Sequence, residues 1–150
     1  MLDCEWKPRQ FEKRHRPAFR GVKRKNLTLT LACWNVRTLL DSTRSTRPER
    51  RSALVALELK RLGIDIAALS EVRFAGVGSL QEERVGYTLF WSDKSETERR
   101  LSGVGFMIKN SIVSKLENLP ACHSDRIMSM RLTLNNNQNA TQCVFSNSYV

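Results

Sequence analysis

At 150 residues, 41% hydrophobic and 27% charged, the chain has the length and composition of one domain with a real core. Its formal net charge of +10 favours a polyanionic partner, of which nucleic acid is the usual one. No apolar run reaches the roughly 18 residues needed to span a bilayer, and Met1 to Lys7 lacks the apolar core of a secretory signal, so the expected place is inside the cell and off the membrane.

The first 25 residues hold nine basic side chains against three acidic ones, contain Pro8 and Pro17, and show no sustained periodicity. Residues 1–26 are therefore expected to form a basic flexible arm ahead of an ordered domain at 27–150. Such an arm suits nucleic acid and equally suits a solvated leader with no partner.

Order begins near Leu27. Leu27-Thr28-Leu29-Thr30-Leu31-Ala32-Cys33-Trp34-Asn35 alternates in part, with the leucines to one side, and reads as a strand ending in Asn35. Arg37 to Arg47 reads as a surface loop. Ser45 or Thr46 is placed to cap a helix with Pro48 in its first turn. Val55, Leu59 and Leu62, with Leu54 beside them, make its apolar stripe, and Gly63 is the expected left-handed stop. Ile64 to Leu69 is the most apolar short run and fits a strand covered on both faces. Strand–helix–strand of these lengths predicts a right-handed parallel crossover, with Asn35 and Glu71 emerging at one edge of the sheet.

Arg73 to Gly86 reads as a glycine-containing loop, Tyr87 to Trp91 as a short aromatic strand, and Ser92 to Arg100 as a charged turn or exposed loop. Gly103 to Lys109 is a further strand, hairpin-like with the aromatic one, whose glycines suggest close approach of another backbone or a bulge. Arg126 to Leu134 and Gln142 to Val150 are strands either side of an asparagine-rich turn. One βαβ unit followed by antiparallel strands predicts an α/β (α+β) fold with a mixed sheet, a helix on one face and an apolar cover needed on the other.

Cys4, Cys33, Cys122 and Cys143 show no C-x-x-C spacing, and only His15 and His123 offer imidazoles. The four cysteines are expected to be free thiols, Cys33 and Cys143 as small core residues, with no zinc site.

Glu71 carries the chemistry. A carboxylate at the end of a buried strand is costly unless it is paired or binds metal. Hard cations such as Mg²⁺ take oxygen ligands, often one or two carboxylates with waters and substrate phosphates. Asn35 suits orienting a phosphate or a metal-bound water, and Arg37 and Arg73 suit phosphate. Spacing alone favours a simpler arrangement, an ion pair of Glu71 with Arg73 or Arg37 and a capping Asn35.

Leu31-Ala32-Cys33-Trp34-Asn35-Val36-Arg37 followed by Ile64-Asp65-Ile66-Ala67-Ala68-Leu69-Ser70-Glu71-Val72-Arg73 resembles the opening of the endonuclease/exonuclease/phosphatase (DNase I-like) superfamily. Leu101-Ser102-Gly103-Val104-Gly105-Phe106 and Ser124-Asp125-Arg126-Ile127-Met128 continue the resemblance, which spans about residues 27–150. It is closest to the endonuclease domains of LINE-type retrotransposons and the craniofacial development protein 2 group. The resemblance implies a four-layered αββα sandwich and Mg²⁺- or Mn²⁺-dependent phosphodiester cleavage of DNA, in a nuclear rather than cytoplasmic setting. It also implies Asn35 and Tyr149 as catalytic residues and Glu71 as the metal ligand. His123 does not stand at the family's histidine position and is expected in a loop, and Arg126 is not expected to be catalytic.

The 150 residues contain no Asp-x-Asn and no Asp-His pair, which in the family follow the tyrosine strand and handle the attacking water. The expectation is thus the N-terminal portion of the sandwich, lacking the strands of the second sheet, with little or no activity alone and an apolar sheet face open to a partner chain. The competing expectation is a non-catalytic nucleic-acid-binding or interaction protein working through the basic arm.

Overall fold

The computed structural model describes residues 28–41, 50–98, 102–133 and 139–145, the last without side chains. The fold is α+β, with a five-stranded mixed sheet and few helices.

Strand β1 (Leu31–Asn35) runs parallel to β2 (Ile66–Ser70), in register from Leu31 against Ile66 to Asn35 against Ser70. Between them lies helix α1 (Arg51–Arg61), so the strand–helix–strand unit and the parallel pairing are as expected. Its end is as expected too: the Leu62 N–H donates to the Glu58 carbonyl, and Gly63 takes φ 69°, a conformation that penalises side chains but not glycine. Its start is different. Arg50 flanks the helix without a side-chain cap, and Pro48 lies before the first turn, outside the described residues with Ser45 and Thr46. The acceptor comes from further back, Asp41 Oδ1 taking the Arg51 N–H at 2.9 Å, and it places negative charge where the helix dipole favours it. The buried stripe is Ser52, Ala56 and Leu59 with Val55 half-buried, whereas Leu62, past the last turn, is 52% exposed.

Three more strands complete the sheet. These are β3 (Val77–Glu82), β4 (Tyr87–Ser92) and β5 (Val104–Lys109), in the order β1-β2-β5-β4-β3. β4 and β5 pair antiparallel as expected, and β5 also inserts beside β2, antiparallel to it. β3 corrects the reading of 73–86 as loop. Being an edge strand, it tolerates Gly78 and the polar run Gln81-Glu82, and Gly78 is where the Trp91 ring lies, leaving no room for a Cβ. Trp91 in turn donates Nε1–H to the Ala75 carbonyl at 3.2 Å and meets Phe74 edge-on. The tight turn into β4 is made over Glu82 to Gly86.

After a short helix α2 (Asn110–Val113) come β6 (Ala121–Cys122), β7 (Ile127–Thr133) and β8 (Asn139–Phe145), an antiparallel sheet of their own. This corrects the expectation that the strands of a second sheet are missing. β7 alternates buried Met128, Met130 and Leu132 with half-buried or exposed Ile127, Ser129, Arg131 and Thr133, as a strand covering one face must.

Two cores follow. Leu39, Ala56, Leu59, Ala67, Leu69, Val72, Tyr87, Leu89 and Met107 fill the space between α1 and the first sheet. Ile66, Ala68, Phe90, Phe106 and Ile108 meet Met128, Met130 and Leu132 between the two sheets. The result is three layers, helix, sheet and sheet. Among the described residues β7 and β8 lie over β5, and β8 over β2. Leu31 is 51% exposed, and Cys33 is exposed, against the expectation of a core cysteine. Residues 1–27, 42–49, 99–101, 134–138 and 146–150, and with them the basic arm, most of the asparagine-rich turn and Tyr149, lie outside the described residues. Among the described residues no helix is long and apolar enough to cross a membrane.

Candidate metal–phosphate site at the edge of β1 and β2

The in-register parallel pair brings Asn35 and Ser70 level, and the Val36 N–H extends the ladder by donating to the Ser70 carbonyl at 3.1 Å. Both chains then turn. Among the described residues three non-glycine residues take left-handed backbone, Arg37 at φ 59°, Glu71 at 58° and Arg73 at 61°, and all three belong to this edge. Such conformations cost about 1–3 kcal/mol each and persist where surrounding structure over-determines them. Val72 supplies that constraint. It is fully buried between Glu71 and Arg73, donates its N–H to the Gly103 carbonyl at 3.2 Å and accepts the Leu39 N–H at 3.0 Å. On the β1 side Thr38 N–H closes back to the Val36 carbonyl at 2.7 Å across Arg37, a γ-turn of the strained positive-φ kind.

The turns converge on one carboxylate. Asn35 Nδ2 donates to Glu71 Oε1 at 2.7 Å, and Asn35 Oδ1 accepts the Arg37 N–H at 2.9 Å. The two bonds set the amide's orientation, because its reverse would aim an oxygen at a carboxylate and an NH₂ at an N–H. Arg73 Nη2 donates to Glu71 Oε2 at 2.9 Å, with the two side chains 32% and 26% exposed. Asn35, Glu71 and Arg73 are therefore in direct contact, and Arg37 adds its backbone N–H and its charge. The ion-pair arrangement that spacing allowed is present, and it coexists with the Asn35–Glu71 bond rather than replacing it.

The Glu71 carboxyl is held below its ordinary value of 4.5 by the Asn35 hydrogen bond first, then by Arg73 and the more distant Arg37 charge, against partial burial. A carboxyl whose folded-state pKa is depressed contributes stability that is present above about 4.5 and lost as pH falls through the lower folded value. Urea melts from pH 7 to pH 3 are expected to show this loss in the parent protein and a shallower pH dependence in Glu71→Gln. Equal slopes in the two proteins would show that Glu71 is not held by these partners.

A further layer escaped the sequence reading. Ser92 and Asp93, placed there in an exposed loop, are 2% and 7% exposed. Gly103 takes φ 89°, and a Cβ on it would stand 2.6 Å from Asp93 Oδ2 and 2.9 Å from the Arg73 nitrogen. Ser102 Oγ donates to Asp125 Oδ2 at 2.9 Å, and the Gly103 N–H donates to the Asp125 carbonyl at 3.2 Å. The 102–106 and 124–128 segments are thus bonded to each other directly behind Arg73. The sequence signal for this layer was the glycines of the 103–109 strand, whose expected close approach of another backbone is met at Gly103 by the Arg73 backbone nitrogen. His123, as expected, lies in a loop; its Nε2 bonds Ser129 Oγ at 2.7 Å within the β6–β7 hairpin. Arg126 is exposed beside Asp125.

Glu71 fits a hard cation held largely by water. Among the described residues its two oxygens each carry one hydrogen bond, and an ionised carboxylate has about four acceptor directions, so each oxygen has one that no described residue takes. Among the described residues no group of three or more His, Cys, Asp or Glu assembles, so the donor set is not a closed protein cage of the zinc type. Compared with protein-family models, characterised proteins and solved structures, the chain matches none.

Proposed function

We propose that the β1/β2 edge is one corner of a metal-assisted phosphodiester site of the DNase I-like kind, akin to LINE-type retrotransposon endonuclease domains, with DNA as the polyanion. The observation that carries this reading is the Asn35–Glu71 hydrogen bond between two strand ends whose following residues are held in left-handed backbone. Support also comes from the second sheet packed on the first, the arrangement that the resemblance implies, and from the net charge of +10. The finer αββα architecture is part of the same proposal.

Glu71 holds Mg²⁺ or Mn²⁺ through its remaining acceptor directions, Asn35 orients the carboxylate, and Arg37 and Arg73 draw in the phosphate. When bound, the cation supplies charge neutralisation on the phosphate oxygens. Among the described residues the partners of Glu71 are an amide and a guanidinium, and neither takes a proton from water at neutral pH. The described edge is therefore expected to bind cation and phosphate without itself supplying a base for cleavage.

Two measurements test this. Mn²⁺ titration followed by electron paramagnetic resonance should show one Glu71-dependent site, lost in Glu71→Ala and weakened about tenfold in Asn35→Ala, the usual effect of removing a partner that orients a ligand. A plasmid-nicking assay in Mg²⁺ should show little turnover. Mn²⁺ binding that survives Glu71→Ala would overturn the site, and robust nicking abolished by that substitution would overturn the inactivity.

A further inference from the structure

Resting on that reading of the edge, we propose that Arg73 makes cation binding and phosphodiester binding mutually dependent, by giving up Glu71 when a phosphate takes its guanidinium.

The guanidinium is attached to Glu71 through Nη2 alone, at 2.9 Å. Its Nε is buried and has no hydrogen-bond partner among the described residues. A buried donor without a partner is costly, and arginine is best satisfied when Nε and Nη2 meet two oxygens of one anion. The arrangement on Glu71 thus leaves half of the fork idle in a desolvated place. The backbone does not relax it. Glu71 and Arg73 are both left-handed, Val72 between them is pinned on both its polar groups, and the Gly103–Asp93 contact closes the space behind the Arg73 nitrogen. The two side chains are side by side because the chain puts them there.

A two-oxygen acceptor in front of the edge offers the fork what Glu71 does not. The non-bridging oxygens of a phosphodiester have that spacing, and rotation about the terminal side-chain torsions turns Nε and Nη2 toward them together. Moving the guanidinium uncovers Glu71 Oε2 and removes the positive charge that opposes a divalent cation there. Without phosphate, cation and guanidinium crowd one carboxylate, each on its own acceptor direction, and their like charges repel. With phosphate they sit on different acceptors. Linkage then requires the cation to tighten phosphate binding by the same factor that phosphate tightens cation binding. The site is three-quarters enclosed at Glu71, so these charges act through a medium less screening than bulk water.

The test uses the full chain, Mn²⁺ and dimethyl phosphate. Mn²⁺ affinity is measured with and without saturating dimethyl phosphate in the parent, Arg73→Met and Arg73→Lys, with melting curves confirming that each is folded. The parent should bind Mn²⁺ about tenfold tighter with dimethyl phosphate present, a usual size for coupling between sites. Arg73→Met should bind Mn²⁺ tighter than the parent when phosphate is absent, and should gain little from it. Arg73→Lys, which keeps the charge without the fork, should retain the weak starting affinity and lose most of the gain. In the parent, the Arg73 Nε–H resonance should shift on adding dimethyl phosphate, a readout independent of Mn²⁺. Mn²⁺ affinity in Arg73→Met equal to or below the parent's, or an undiminished gain in that variant, overturns the coupling while leaving the metal site standing. Absence of Glu71-dependent Mn²⁺ binding in both parent and Arg73→Met overturns the site and the coupling together.

Discussion

Phe106→Ala is expected to destabilise the protein by about 3–5 kcal/mol, the range for removing a fully buried phenylalanine. Phe106 is completely buried on the central strand β5, with Ala68 and Phe90 as its cross-strand neighbours and Met128, Met130 and Leu132 from the second sheet in the same core. Ala68 is too small to close the space that the ring leaves. The methionines are flexible enough to fill part of it, which favours the lower half of the range. Because domains are stable by only about 5–15 kcal/mol, this is a large share of the total. At about 2–4 °C per kcal/mol for a chain of this size, thermal melts should fall by about 6–20 °C. Phe106→Leu should lose less. A fall under about 3 °C for the alanine variant would mean that the second sheet is not packed on the first as described. The β1/β2 edge lies on other elements, so Mn²⁺ affinity per folded molecule should be unchanged.

Gly103→Ala is expected to act on both stability and site. Forcing a side chain to φ 89° costs about 1–3 kcal/mol, and overpacking against Asp93 and the Arg73 nitrogen about as much again. Gly86 is the matched control, since it has the same φ of 89° with nothing within 4 Å of where its Cβ would stand. Gly86→Ala should therefore show the strain alone, and the difference between the two variants, about 1–3 kcal/mol by urea denaturation, isolates the close approach. The Gly103 variant should also lose hydrogen-exchange protection at the Val72 amide, which donates to the Gly103 carbonyl. Equal losses in the two variants, with Val72 protection intact, would remove Gly103 from the support of Arg73.

Much of this architecture was legible in the residues. The β1, α1 and β2 segments announce themselves through apolar runs of the right length and a glycine stop, since backbone geometry and burial act there over a few adjacent positions. β3 did not announce itself. An edge strand pairs on one side only and keeps polar residues and glycine, so its sequence looks like loop. The separation of β6, β7 and β8 into a sheet of their own was also hidden, because an alternating strand specifies a buried face without specifying its neighbour. Cys33 carries a core-like pattern, yet it is exposed, and the described part of the second sheet lies over β5 and β2.

The site divides in the same way. That Asn35 and Glu71 end adjacent strands follows from the order of elements and the right-handed crossover rule, so their meeting was determined by the sequence alone. So was the closeness of Arg73 to Glu71, two residues away. The tertiary structure decided everything that gives those residues a definite geometry. The left-handed turns at Arg37, Glu71 and Arg73 are locally unfavourable, and no local preference of arginine or glutamate calls for them. They exist because Val72 is tied to Leu39 and Gly103, and because Gly103 lets Asp93 and the Arg73 backbone approach closely. Local propensity sums over neighbours in the chain, whereas these constraints join residues some thirty positions apart, and only the folded packing brings them to bear on one carboxylate.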